Sequence, residues 1–181
     1  MGLDMYLSKR HYVKNWDHQK PEERHTLTLK GPKANQIDLS KVNEITEDVA
    51  YWRKANAIHL WFVENIQDGE DDCREYSVSV KKLWELLDTC KKVLKASKLV
   101  KGKIKNGYTY KDGKEIPNME DGKYIKDPSV AMDLLPTTSG FFFGSTDYDE
   151  YYLADIKNTI EQLEEALEKE PDGDYYYQSS W

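Results

Sequence analysis

The run Glu47-Asp-Val-Ala-Tyr-Trp-Arg-Lys-Ala-Asn-Ala-Ile-His-Leu-Trp-Phe-Val-Glu-Asn-Ile66 constrains this chain more than any other segment. It predicts one long helix, apolar on nearly every side, of the kind that sits at the centre of a fold. Trp52, Asn56, His59 and Val63 then share one stripe at helical spacing. Polar groups on such a helix need partners, because each one buried unpaired costs about 1–3 kcal/mol. Asn56 and His59 therefore either staple the fold or line a pocket. Thr46 is the expected N-cap, with Glu47 and Asp48 in the first turn, and Asp68-Gly69 the expected stop.

Residues 3–13 alternate, with Leu3, Met5 and Leu7 on one face and Asp4, Tyr6 and Ser8 on the other, which predicts a strand. A polar loop over 14–24 follows. His25–Leu29 is the expected second strand and Gln36–Ile45 the third. Tyr76–Val78 reads as a short strand. Ser79 then caps a second helix with Val80, Leu83, Trp84, Leu87, Cys90 and Leu94 on its apolar side. Leu134–Gly144 reads as a loop leading into a short apolar strand. Thr146 to Asp149 has capping-box spacing ahead of a third helix, whose buried stripe is Tyr152, Ile156, Ile160, Leu163 and Leu167. Pro171-Asp172-Gly173 is the expected end of that helix, and Asp174–Trp181 a final strand pairing with another strand of the sheet, the first being the candidate. The pattern predicts an α+β fold over one domain, 1–181: an antiparallel sheet, including the N- and C-terminal strands, packed against about three helices.

Residues 98–126 differ in character. They hold three turn signals, Asn106-Gly107, Asp112-Gly113 and Asp121-Gly122, with Tyr108-Thr-Tyr110 between the first two. Eight lysines against four acids give this stretch a net +4 within a chain of net −7. It reads as a flexible Lys/Gly-rich hairpin, either a solvated excursion or a flap that attracts anions.

The overall acidity argues against a general nucleic-acid-coating role, which needs a basic face. Cys73 and Cys90 have no paired metal-ligand spacing and suit a reduced compartment. The first residues lack the basic and apolar regions of a signal peptide, and no apolar run approaches the roughly 20 residues of a membrane span. A cytoplasmic location and no membrane partner are the expectations.

No phosphate-binding loop, dinucleotide fingerprint or nucleophile elbow is present. His11, His18, His25 and His59 are scattered without zinc spacing, and Asp68, Glu70, Asp71 and Asp72 fail the calcium-loop spacing. No cofactor or metal is expected. Leu135–Glu150 has hydroxyls, two glycines and backbone donors ahead of a helix N-terminus, which is a way to hold an anion or simply a tight capped loop. Within Tyr51–His59, Trp52 can stack on a flat ring, Asn56 can pair with its edge, Arg53 or Lys54 can meet phosphate, and His59 can carry a proton. A lone histidine on an apolar face is more often a satisfied core residue.

Several of these motifs occur together: Met-Gly-Leu-Asp-Met-Tyr-Leu7, Val49-Ala-Tyr-Trp-Arg-Lys-Ala-Asn-Ala-Ile-His59, Asn65-Ile-Gln-Asp-Gly69 with Asp72-Cys73, Leu135-Pro136, Gly140-Phe-Phe-Phe-Gly-Ser-Thr146 and Tyr176-Tyr-Gln-Ser-Ser-Trp181. In this set the chain resembles a family of small uncharacterised proteins of tailed bacteriophages and prophages. The resemblance covers nearly the whole chain except 98–126. It implies a setting, the cytoplasm of an infected bacterium, and no activity. In that setting small proteins block host defences by sequestering nucleotide signals or by binding a host protein.

The leading expectation is a binding protein with a pocket for a small nucleotide-like ligand, lined by Trp52, Arg53, Asn56, His59, Ser145, Thr146 and Trp181. The alternative is an inhibitor that binds a host enzyme through an acidic, Tyr-rich surface including Asp71 and Asp72. The third is a small hydrolase or transferase using His59 with Asp4 or Glu64 as an acid–base pair. Oligomeric state is left open.

Overall fold

The computed structural model describes residues 2–169 and 172–181. Strand β1 (Asp4–Tyr12) is central to a four-stranded antiparallel sheet of order β2-β1-β6-β3, with β2 at Glu44–Arg53, β3 at Tyr76–Val78 and β6 at Asp174–Ser180. The pairing of the first and last strands, Met5 opposite Ser179 and Leu7 opposite Tyr177, is the one expected from sequence. Leu3, Met5 and Leu7, with Ala50, Trp52, Val78, Tyr175 and Tyr177 from the neighbouring strands, form the buried face. This face packs on helices α1 (Asn56–Ile66), α2 (Val80–Ala96) and α4 (Glu150–Lys169) in one core. The fold is α+β, with a further short helix α3 (Ser129–Leu134) that the apolar pattern did not signal.

The expected helix over Glu47–Ile66 is a correction. Its first half is the end of β2, and only Asn56–Ile66 is helical. Ala50 and Trp52 alternate inward at period two while Val49 and Tyr51 do not, a strand pattern in a segment rich in β-branched and aromatic residues. Joined to a helix buried on most sides, that strand looks like a continuous apolar helix. The switch falls at Lys54, whose φ is 60° and whose N–H donates to Leu3 O at 2.8 Å.

Four further expectations are corrected. Residues 25–29 form no strand: Asn15 brackets His25, donating to its carbonyl and accepting from its N–H at 2.8 Å each, where a strand partner would stand. Gln36–Ile45 is no strand of its own: two short 3-10 turns (Ala34–Gln36 and Leu39–Lys41) and irregular chain lead to Glu44, where β2 begins. Phe141–Phe143 is a loop with Phe142 at φ 61° and only Phe143 buried. Trp84, expected on the apolar side of α2, is exposed. The proposed stop at Pro171 lies outside the described residues.

Residues 98–126 form one long ribbon, β4 (Leu99–Lys111) and β5 (Lys114–Ile125), turning at Asp112-Gly113. Both turn residues have positive φ, 53° and 73°, as a tight two-residue hairpin turn requires. Asn106-Gly107 is a register break within β4, not a turn. The ribbon is anchored at its base, where Ile125 N donates to Tyr148 O at 2.9 Å and Tyr124 bridges to Asp149.

Among the described residues no helix is long and apolar enough to cross a membrane. Phe62 stacks flat on Tyr177 at 3.8 Å between ring centroids, joining α1 to the centre of the sheet. Phe62→Ala is expected to cost about 3–5 kcal/mol, whereas Trp84→Ala stays within about 0.5 kcal/mol. Urea unfolding of both variants checks the contrast, and similar costs would contradict this core assignment.

Candidate functional site

A cleft of about 770 Å³ opens where the N-termini of α1 and α4, the loop 137–149 and the middle of β4 meet. Arg53, Asn56, Ser145 and Thr146, all singled out from sequence, line it. Trp52, His59 and Trp181 lie elsewhere.

The loop is held by Asn56, which is 5% exposed. Its Nδ2 donates to Phe143 O at 3.1 Å and Ser145 O at 2.8 Å, and its Oδ1 accepts from Thr138 N at 3.1 Å. All three bonds go to loop backbone, so the amide is not free to pair with a ligand edge. Gly144, at φ +94°, presses against Lys54, where an added Cβ would stand 3.2 Å from Lys54 Cβ and 3.3 Å from its carbonyl oxygen. The loop is thus drawn onto the β2–α1 switch, and non-glycine residues in left-handed conformation, Lys54 and Phe142, sit at the cleft.

The two helix N-termini differ. Asp149 caps α4, its Oδ1 accepting from Tyr151 N at 2.9 Å and Tyr152 N at 3.1 Å. The cap is therefore Asp149 and not Thr146, whose carbonyl accepts from Thr137 Oγ1 at 3.0 Å. Helix α1 has no side-chain cap. Ala57 and Ile58 N–H find no acceptor among the described residues, although both residues are buried in the cleft wall. An open helix start of this kind carries partial positive charge and free donors. Arg53 and Lys54 flank it, and Ser145 lies on the same cleft wall.

The opposite wall is acidic. Asp149 is 2% exposed and its Oδ2 has no hydrogen-bond partner. Burial pushes its carboxyl up, against the two N–H groups that it accepts. Asp155 is pushed up to about 7, first by burial and then by Asp149. Asp147 differs, since Lys105 from the ribbon meets it at 3.0 Å and is held protonated by it. Sequence reading missed Lys105, Tyr108, Asp149, Tyr151 and Asp155 as lining residues. The signal for Asp155 was a carboxylate set between Leu153 and Ile156 on an apolar stripe. The ribbon residues had none, because their approach to the body is made by the fold.

The remaining candidates are internal. Trp52 is buried and donates to Thr159 Oγ1 at 2.9 Å under α4. His59 is fully buried, with Nε2 3.0 Å from Asp71 Oδ1 and Nδ1 2.9 Å from the Tyr177 hydroxyl. A carboxylate only accepts, so Nε2 carries the hydrogen and Nδ1 accepts from Tyr177. Burial lowers the His59 pKa and outweighs Asp71, leaving a neutral ring with both nitrogens engaged. The expected partners Asp4 and Glu64 are not those seen: Asp4 instead accepts from the Tyr51 hydroxyl. Trp181 is half exposed, its Nε1 donating to the same Asp71 at 3.1 Å. Asp72 takes Arg74 at 2.6 Å and Tyr76 at 3.0 Å, so the acidic turn is internally paired. Among the described residues no group of three or more His, Cys, Asp or Glu side chains is gathered as a metal ion would need.

Compared with known proteins, the chain matches no family model, no curated protein and no solved structure. The cleft is therefore read from its own chemistry.

Two outcomes follow from these contacts. Asn56→Ala removes the partner of three loop backbone groups, at Phe143, Ser145 and Thr138, and is expected to cost about 1–3 kcal/mol in urea unfolding; a neutral result would mean that the loop does not depend on the amide. Asp155 holds its proton more tightly folded than unfolded, so its contribution favours folding at low pH and is lost as pH rises through about 7. Asp155→Asn should match the parent near pH 3.8, gain stability as pH climbs, and level off above about 7. Melting temperatures across that range test this, and a difference independent of pH would refute it.

Proposed function

We propose that this protein binds a small nucleotide-like ligand in the cleft, with the phosphate at the start of α1. The observation that carries this reading is the uncapped α1 N-terminus, which opens into the cleft beside Arg53 and Lys54. Free N–H groups, helix dipole and two cations converge there, the arrangement that favours a phosphate. A volume of about 770 Å³ falls in the usual range for small-molecule sites. Tyr108, Phe142 and Tyr151 offer flat faces along the walls, and Ser139, Ser145 and Thr146 offer hydroxyls. The stacking role expected of Trp52 passes to these rings.

The resemblance to bacteriophage proteins supplies a setting in which such a binder sequesters a host defence signal. Binding without turnover is the favoured mode, since both His59 nitrogens are engaged away from the cleft. Inhibition of a host protein through Asp71 and Asp72 is less favoured, because both carboxylates already serve internal partners.

Arg53 has no ion pair among the described residues, so Arg53→Ala should leave the melting temperature unchanged. It should weaken binding of a nucleoside diphosphate by about tenfold or more, the worth of one charge-assisted contact. Calorimetric titration of parent and variant is the check. Equal affinities, or no binding by the parent protein across a panel of nucleoside diphosphates, would remove this reading.

A further inference from the structure

The cleft is polar in the directional sense: its α1 end is rich in donors and cations, while its α4 wall presents acceptors. The Asp155 carboxylate has no hydrogen-bonded or ionic partner among the described residues, and the only charge acting on it is another carboxylate, Asp149. Asp149 adds a buried oxygen without a partner on the same wall. The one buried amide at the cleft, Asn56, is committed to the loop and reads nothing. Asn106, further out on the ribbon, gives its Nδ2 to Glu120 at 3.0 Å. Away from the α1 end, the charged groups of the cleft that are left without a partner among the described residues are acceptors, Asp155 and one oxygen of Asp149.

Resting on the phosphate-at-α1 reading, we propose that the ligand's other end is a purine edge with adjacent amino and ring N–H donors, of the guanine kind, received by Asp155 on the α4 wall. A carboxylate matches two parallel N–H groups in bidentate geometry. An adenine edge, which places an acceptor beside its amino group, leaves one carboxylate oxygen facing a lone pair. Burial pushes the Asp155 carboxyl up to about 7, so the ionised acceptor that this edge requires is present above that pH, and the preference is read at about pH 8. Asp149, on the same wall, is a positioning residue: its cap fixes the first turn of α4, from which Asp155 follows.

The test is calorimetric titration with guanosine diphosphate, inosine diphosphate and adenosine diphosphate. Inosine differs from guanosine only by loss of the 2-amino group, and adenosine also lacks the ring N–H. The parent protein should bind the guanosine compound at least about tenfold more tightly than either of the others. Asp155→Asn and Asp155→Ala, each checked for an intact melting transition, should abolish that preference while still binding. Arg53→Ala should weaken all three compounds by a similar factor. Equal affinity of the parent for the three compounds, or a preference that survives in both Asp155 variants, overturns this inference and leaves the phosphate reading standing. No binding of any of the three by the parent overturns both.

Discussion

The turn at Arg53–Asn56 is the constraint on which the functional end of the molecule depends. There β2 stops being a strand, Lys54 takes a left-handed conformation with its N–H on Leu3 O, and α1 begins without a capping side chain. A serine or aspartate at residue 55 would close that helix start on itself. Alanine there leaves its donors facing the cleft. One residue later Asn56 draws in the loop that lines the cleft beside it. Wall and donors are therefore built by neighbouring residues, and strain at Lys54 is held in place by the close approach of Gly144.

The sheet and the long helices were legible because each has its own periodicity. Leu3, Met5 and Leu7 alternate, and α2 and α4 carry apolar stripes broken only by Trp84. The last strand was legible too, and it pairs with β1. The misreading of Glu47–Ile66 has a physical origin. A strand with a buried aromatic residue, followed at once by a helix buried on most sides, carries no polar break at the boundary. The boundary is made by a backbone conformation at a lysine, which composition does not announce. The same holds for Phe142, whose left-handed turn converts an apparent strand into a loop.

Of the residues chosen for chemistry, Arg53, Asn56, Ser145 and Thr146 meet at one cleft although nearly ninety positions separate the two groups in sequence. Trp52 and His59 were picked from a helical stripe that does not exist at Trp52, and they point into the core. The ribbon's contribution was invisible because Lys105 reaches Asp147 only through tertiary placement. Charge follows a similar logic: α4 carries its own carboxylate cap and α1 carries none, so two equivalent helix starts become opposite poles of one cavity.

The ribbon tip stands apart from this economy of contacts. Every residue from Thr109 to Ile116 is exposed, and the β4–β5 pairing there is made by the two strands. Lengthening a surface loop adds closure entropy only logarithmically, and exposed tips are where chains accept inserted sequence. Asp112-Gly113 is thus a natural grafting point. A foreign segment spliced between those residues would ride on a stalk rooted at Tyr124 and Ile125. It would place a reporter within one ribbon length of the cavity without entering the folded body.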